Sequence, residues 1–285
     1  MRLRTCLLLR LGVGRGRGRQ YTCGPLEPSN GSLEDPLAEA LRLIALADSA
    51  GLRVRLMGGL AFHARAPEWT ARIERARRDI DLATASSDRR GLTELLVGSG
   101  YDADKEFNAL HGHKQLYFVD PRRDRPVDVL VDRLEMCHTF DFGERLVIDS
   151  PTLPLADLLL SKLQVVRINR KDVLDALVLL GEYPLTENDS GISVPRVVSH
   201  TSEDWGWWRT VGENLAKLAV YAQAELGPED LAMSGGRPLH HDPAAQAMTL
   251  RERIDAAPKS TRWKLRSRVG DRVQWYQLPE EVGHE

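Results

Sequence analysis

Three aspartates carry the clearest chemical signal in this sequence. Asp79 and Asp81 stand in RRDIDLAT, residues 77–84, with one isoleucine between them, and Asp128 stands in PVDVLVD, residues 126–132. Successive side chains of a strand point to opposite faces, so Asp79 and Asp81 are expected on one face, about 6–7 Å apart and repelling each other. A cation should stand between them. Arg72, Arg75, Arg77 or Arg78 could supply it at a sheet edge, and a metal ion is the other source. In VDVLVD the same alternation gives Val127, Val129 and Val131 to one face and Asp128, Leu130 and Asp132 to the other. If this strand lies beside DIDLAT, three carboxylates converge. Such a patch is unfavourable without a cation, and hard divalent ions prefer oxygen ligands. Magnesium suits it best, because its incomplete protein shell leaves positions for phosphate oxygens and water.

Gly58 and Gly59 end the strand-like RVRLM and precede LAFHARA. Two residues without side chains, opening a helix with free backbone N–H groups, let an anion approach closely. A tight strand-to-helix turn is the plainer reading of the same pair. HGH, residues 111–113, offers two imidazoles on one expected strand face but lacks a third ligand, so these read as loop histidines, as do His240 and His241. The run KSTRWKLRSRVGDRVQWY interleaves cations with Trp263, Trp275 and Tyr276, a pattern able to bind a nucleic-acid backbone; a solvated face with inward tryptophans is favoured. Trp205, Trp207 and Trp208 read as inter-helix packing. No G-x-S-x-G or cysteine–histidine signature supports a covalent nucleophile.

The elements that must position these residues follow from periodicity. PLAEALRLIALADSAG predicts a helix with Leu37, Ala40, Leu41, Ile44 and Ala45 inward. Residues 53–57 predict a strand, LAFHARA one or two helical turns, EWTARIERARR a helix or loop, and DIDLAT a strand. SSDRRGLTELLVGSG predicts a helix capped by Ser87 with Leu92, Leu95 and Leu96 buried. KQLYFVD and PVDVLVD, separated by PRRDR, suit a hairpin. Beyond Pro151, LPLADLLLSKLQVVRI and KDVLDALVLLGEY predict two amphipathic helices, TENDSGIS a linker, and the remainder a helix from about Asp204 and another ending near Ala257. The expectation is an α+β protein: a flexible tail over residues 1–34, a small mixed sheet with packed helices over 35–150, and a helical region over 151–285.

Composition agrees with a globular chain. The 285 residues are 42% hydrophobic and 28% charged, with a net charge of -2, which argues against a general polyanion binder. Three cysteines without metal-ligand spacing support neither a disulfide framework nor a zinc knuckle, and a reducing cytoplasm fits them best. The basic, partly apolar start superficially suggests a signal peptide, but Arg10 interrupts the run and no small-residue cleavage site follows, so a tail or an over-long start is expected. No run of 18 apolar residues predicts a membrane span.

The ordered set MGG (57–59), DID (79–81) and VDV (127–129) resembles the metal and phosphate signature of the polymerase-beta-like nucleotidyltransferase superfamily, and SKLQVVRINRKDVLDAL resembles the lysine-containing helices of its abortive-infection toxin branch. The resemblance spans residues 36–181. FNALHG, MCHT, DWGWWRT and PKSTRWK also resemble a group of bacterial nucleotidyltransferase-like proteins of unnamed substrate. Two departures stand out: 19 residues, Leu60 to Arg78, separate Gly59 from Asp79, and the serine often found after the first glycine is here Gly59. The resemblance implies a nucleotidyltransferase core over 35–150, an acceptor side in the helical region, and transfer of an NMP from an NTP to a hydroxyl with release of pyrophosphate. It implies that Asp79 and Asp81 bind the Mg2+ that grips the triphosphate, and that Asp128 completes a second metal site and accepts the hydroxyl proton. Gly58 and Gly59 would meet phosphate, and Lys162, with Arg167 or Lys171 as substitutes, would balance triphosphate charge. The acceptor would be a tRNA end, a protein or a small molecule such as an aminoglycoside, and an antitoxin-like protein partner is conceivable from the toxin branch. A catalytically silent nucleotide- or protein-binding module of the same fold is the competing reading, and a metal-dependent phosphohydrolase a third.

Overall fold

A computed structural model describes residues 31–70, 79–224 and 239–278. The arginines Arg72, Arg75, Arg77 and Arg78, most of the expected tail and most of the Gly/Pro/His segment after residue 226 lie outside the described residues. Ser32, Leu33 and Glu34, read with the tail, are tied to the hairpin: Arg123 donates to the Ser32 carbonyl, and Arg125 to those of Leu33 and Glu34.

The first helix, α1 (Pro36–Ser49), starts at Asp35, whose carboxylate accepts from the Leu37 N–H, with Pro36 in the first turn, where its missing N–H costs nothing. Its buried stripe is Glu39, Ala40, Leu43, Ile44 and Ala47, which corrects the expected face: Leu41 is only half-buried and Ala45 is exposed. The helix is turned because Glu39 faces inward, where its carboxylate accepts from the Tyr101 hydroxyl at 2.6 Å and from Arg42 at 2.6 and 2.8 Å. Buried charge is tolerated only when so bonded.

Then come β1 (Val54–Met57), α2 (Gly58–Arg65), the single turn α3 (Pro67–Thr70), β2 (Ile80–Thr84) and α4 (Arg89–Gly98). Ser87 is not the cap of α4. Asp88 holds that position, and its carboxylate accepts instead from the Arg53 backbone and guanidinium, at 3.0 and 2.7 Å. After β3 (Asp102–Ala103) and α5 (Lys105–His111), the hairpin forms as β4 (Gln115–Asp120) and β5 (Arg125–Val131), with the strict alternation of a half-buried strand. Asp132, expected within that strand, leaves it at φ 62° to accept from the Ser86 N–H. His111 ends helix α5 and His113 lies in the following turn, so HGH is not a strand.

The five strands order as β1-β2-β5-β4-β3, with β2 and β5 parallel and the other pairs antiparallel. A small hairpin, β6 (Arg133–Glu135) and β7 (Thr139–Asp141), leads to helices α6 (Leu155–Leu163) and α7 (Arg170–Glu182). The polar TENDSGIS stretch is closed by a two-residue parallel pair, β8 (Leu185–Thr186) with β9 (Ile192–Ser193). Helix α8 (Val194–Glu203), which is not among the expected elements, follows and buries Val194, Val197 and Thr201. Then α9 (Trp205–Ala224) begins where Asp204 accepts from the Trp207 N–H, α10 (Pro243–Ala256) is capped by Asp242, and α11 (Thr261–Ser267) is capped by Ser260. One apolar core runs through both parts, from Leu43, Leu56, Leu82 and Val129 to Leu159, Leu177, Leu215 and Ile254. The architecture is therefore α+β: a mixed five-stranded sheet with a helical C-terminal region packed on it. Among the described residues no helix is long and apolar enough to cross a membrane.

Candidate active site

The parallel pairing of β2 with β5 sets Asp81 directly opposite Asp128. The antiparallel pairing on the other side sets Met57, the last residue of β1, opposite Asp81, so the chain turns into α2 at Gly58 beside the Asp81 carboxylate. Gly58 has φ 62°, a left-handed conformation that costs other residues about 1–2 kcal/mol. The glycine corner and the Asp81–Asp128 pair thus meet at one point of the sheet.

A cavity of about 380 Å³ opens there, lined by Gly58, Asp81, Asp128, Gln115, Lys162 and Asp172, with Ser161 and several apolar side chains completing it. Gln115 donates from Nε2 to Oδ1 of Asp128 at 2.6 Å. Asp79 is exposed and does not line this cavity. It precedes Ile80, the first paired residue of β2, so strand alternation does not govern its side chain. Burial first, then the charges of Asp128, Asp79, Asp104 and Asp124, push the phenol of Tyr117 up, and Tyr117 is the register partner of Asp128 on β4. Among the described residues no three His, Cys, Asp or Glu side chains stand close enough to form a metal-holding group. The sequence-level expectation of three converging carboxylates is met by two, with the third at the mouth of the strand.

Lys162 reaches the same cavity from α6, but its ammonium is already engaged, 2.6 Å from Asp172 and 3.1 Å from Asp175, and it lies 5.2 Å from the centre of the Phe62 ring. Asp172 and Asp175 sit three residues apart on α7, one helical face, and that spacing is the signal that could have named them as its partners. Gln115 had no such signal. Gly59 lies in the first turn of α2 and does not line the cavity.

Arg167 and Lys171, the substitutes for Lys162, are exposed and do not line the cavity, and the tryptophans pack within the helical region. Trp205 and Trp207 are buried, and Trp208 donates from its indole to Asp255 at 2.7 Å. Two of the basic C-terminal side chains lie over tryptophan rings, Arg266 over Trp205 at 4.8 Å and Lys259 over Trp263 at 5.8 Å, while Arg262, Lys264, Arg268 and Arg272 are exposed. His111 packs on Phe107 with ring centroids 4.8 Å apart.

No protein-family model matches the chain, and no curated protein is detectably similar to it. Among solved structures, the solution structure of the antibiotic-resistance factor ANT(2'')-Ia is similar over 50% of this chain and 80% of that one, with 16% sequence identity and a TM-score of 0.34.

Proposed function

We propose that this chain is a metal-dependent nucleotidyltransferase that moves an NMP from an NTP to a hydroxyl acceptor. The observation that carries the reading is the register pairing of Asp81 with Asp128 against the Gly58 corner. The residues fit a hard divalent cation: two adjacent carboxylates supply oxygen donors, and a glycine keeps the approach open where a Cβ would enter the Asp81 carboxylate. Asp81 and Asp128 would hold Mg2+, with Asp79 joining them from the strand mouth. Bound there, magnesium supplies Lewis-acid polarisation of phosphate oxygens and orients the triphosphate.

The rest of the chemistry falls to the chain's own groups. The backbone at Gly58 and Gly59 receives phosphate at the start of α2. Asp128 accepts the proton of the acceptor hydroxyl, directly or through water, as the new oxygen–Pα bond forms and the Pα–oxygen bond to the leaving pyrophosphate breaks. Lys162 offsets triphosphate charge from the helical wall.

One observation favours a second reading, a nucleotide-binding module without turnover: Lys162 is already neutralised by Asp172 and Asp175. Incubation of the purified chain with labelled NTPs, magnesium and a cell extract separates the two. Transfer of label that is lost in Asp81→Asn and Asp128→Asn supports the enzyme. Binding with no transfer to any acceptor would overturn it in favour of the module, and release of phosphate without an acceptor would overturn it in favour of a phosphohydrolase.

A further inference from the structure

Gln115 lines the cavity, and the proposed chemistry does not use it. Gln115 stands on β4, whose antiparallel register with β5 pairs Gln115 with Leu130 and Tyr117 with Asp128. Side-chain alternation gives these four residues one face, so Gln115 is the diagonal neighbour of Asp128, two positions along the partner strand. That separation is about 7–8 Å between backbones, within reach of a long side chain. The glutamine amide closes it, with Nε2 2.6 Å from Oδ1 of Asp128. A carboxylate only accepts hydrogen bonds, so the nitrogen end of the amide must be the one that faces it.

The position of this contact matters as much as its length. Beside the 380 Å³ cavity lies a second of about 540 Å³, and the two share Gln115, Leu130 and Met136 as a common wall. Asp128 is therefore held from the side of the second cavity while it faces the first. Charged or titratable groups around the same cavity are Asp81 across the parallel seam, Tyr117 on β4, Lys162 on α6 and Asp172 on α7. Gln115 differs from these in being neither charged nor titratable: its amide fixes an Asp128 oxygen by a direct hydrogen bond without bringing a charge that would compete with a cation.

We infer that Gln115 is a positioning residue, which fixes the Asp128 carboxylate for cation binding at the Asp81–Asp128 pair. This inference rests on the proposed function above. Partners that orient metal-binding carboxylates typically govern affinity about 10- to 100-fold, although they touch neither metal nor substrate.

Two substitutions isolate the contact. Gln115→Met keeps the length and shape of the side chain and removes the donor. Gln115→Asn keeps the amide but shortens it by one methylene, so that it no longer spans the diagonal. The experiment is a titration of the full chain with Mn2+, followed by the electron paramagnetic resonance signal of the free ion, on the native protein, both Gln115 variants and Asp128→Asn, with thermal unfolding of each alongside. Both Gln115 variants should weaken Mn2+ binding by about 10- to 100-fold while unfolding near the native temperature. In the label-transfer assay kcat should fall more than the KM for NTP rises. Native Mn2+ affinity in a folded Gln115→Met or Gln115→Asn protein, with affinity lost in Asp128→Asn, would overturn the role of Gln115 and leave the proposed function standing. Native affinity in Asp128→Asn would overturn both. If the methionine variant does not fold, the asparagine variant, which keeps a polar side chain at the same strand position, decides the matter alone.

Discussion

A Cβ built on Gly58 would lie 1.8 Å from Oδ2 of Asp81, with φ at that glycine already at +62°. Glycine is thus required twice over, once by the backbone and once by the carboxylate beside it. Gly58→Ala should lower stability by about 1–2 kcal/mol from the left-handed backbone alone, and displace Asp81 as well. Denaturant unfolding measures the first effect and Mn2+ affinity the second. A variant of native stability and native affinity would mean that the corner relaxes freely.

The pairing of Asp81 with Asp128 gives the next expectation. Asparagine at either position keeps the shape of the side chain but halves the charge of the pair. Asp128→Asn should lower the rate of label transfer by on the order of 10²–10⁴-fold, the range set by loss of a positioned proton acceptor, and Asp81→Asn should abolish tight cation binding. Circular dichroism and unfolding midpoints should stay close to native for both. Asp79→Asn, outside the cavity, should have the smallest effect of the three.

How much of this could be read from sequence depends on what each residue's neighbours reveal. Asp128 was legible because VDVLVD alternates strictly, and a strand that buries Val127, Val129 and Val131 must turn Asp128 the other way. The adjacency of Asp81 to Asp128 was only a conditional expectation, since register between distant strands is written in neither. Asp79 falls outside the cavity because the paired strand begins at Ile80, one residue later than the DID pattern suggests. The turn of α1 escaped notice because the inward residue is Glu39, whose burial depends on Tyr101, 62 positions away. Helix α8 was not predicted because VPRVVSHTSE is rich in β-branched and hydroxyl side chains, which are weak helix formers, although its buried Val194, Val197 and Thr201 do recur at helical spacing. Gln115 is the extreme case: a glutamine in a strand means nothing until the partner strand's register is known.

Lys162 lies between Asp172 and Asp175, and the Asp175 side chain is only 1% exposed. Lys162→Met would leave those carboxylates facing each other with little solvent. The loss should be about 3 kcal/mol, the scale for removing one partner of a buried ion pair. Adding Asp175→Asn to that variant should recover part of it, because the uncompensated charge is then gone. Urea unfolding of the two variants measures this directly. If the ammonium also meets triphosphate, the KM for NTP should rise in the single variant and stay raised in the double one, since neutralising Asp175 restores stability but supplies no cation.

Acid sensitivity should come from the far side of the helical region. His138 and His200 flank Trp207, each with ring centroids 5.0 Å from it. Burial pushes both imidazoles down to about 4, with the Asp204 charge slightly opposing at His138, and with Arg196 and Arg145 adding to the effect at His200. His138 Nε2 lies 2.9 Å from the Thr210 hydroxyl, whose oxygen also accepts from the Trp275 indole, so a neutral ring can take the hydroxyl proton. In the unfolded chain both histidines titrate near 6.5. Between about pH 6.5 and 4 the unfolded state therefore binds more protons than the folded one, and stability falls as pH falls; above that window the contribution is fully present. Each histidine accounts for about 3 kcal/mol across the window. Glu39, Asp88 and Glu213, whose carboxyls are held below their ordinary values, contribute stability that is lost only at lower pH, below about 4.5. Urea unfolding at intervals from pH 7 to 4.5 thus reads mainly the imidazoles. The slope should approach that of two protons, and His138→Gln, which retains an acceptor for Thr210, should remove about half of it. Stability that is level from pH 7 to 4.5 would show that these rings take up protons without disturbing the packing around Trp207.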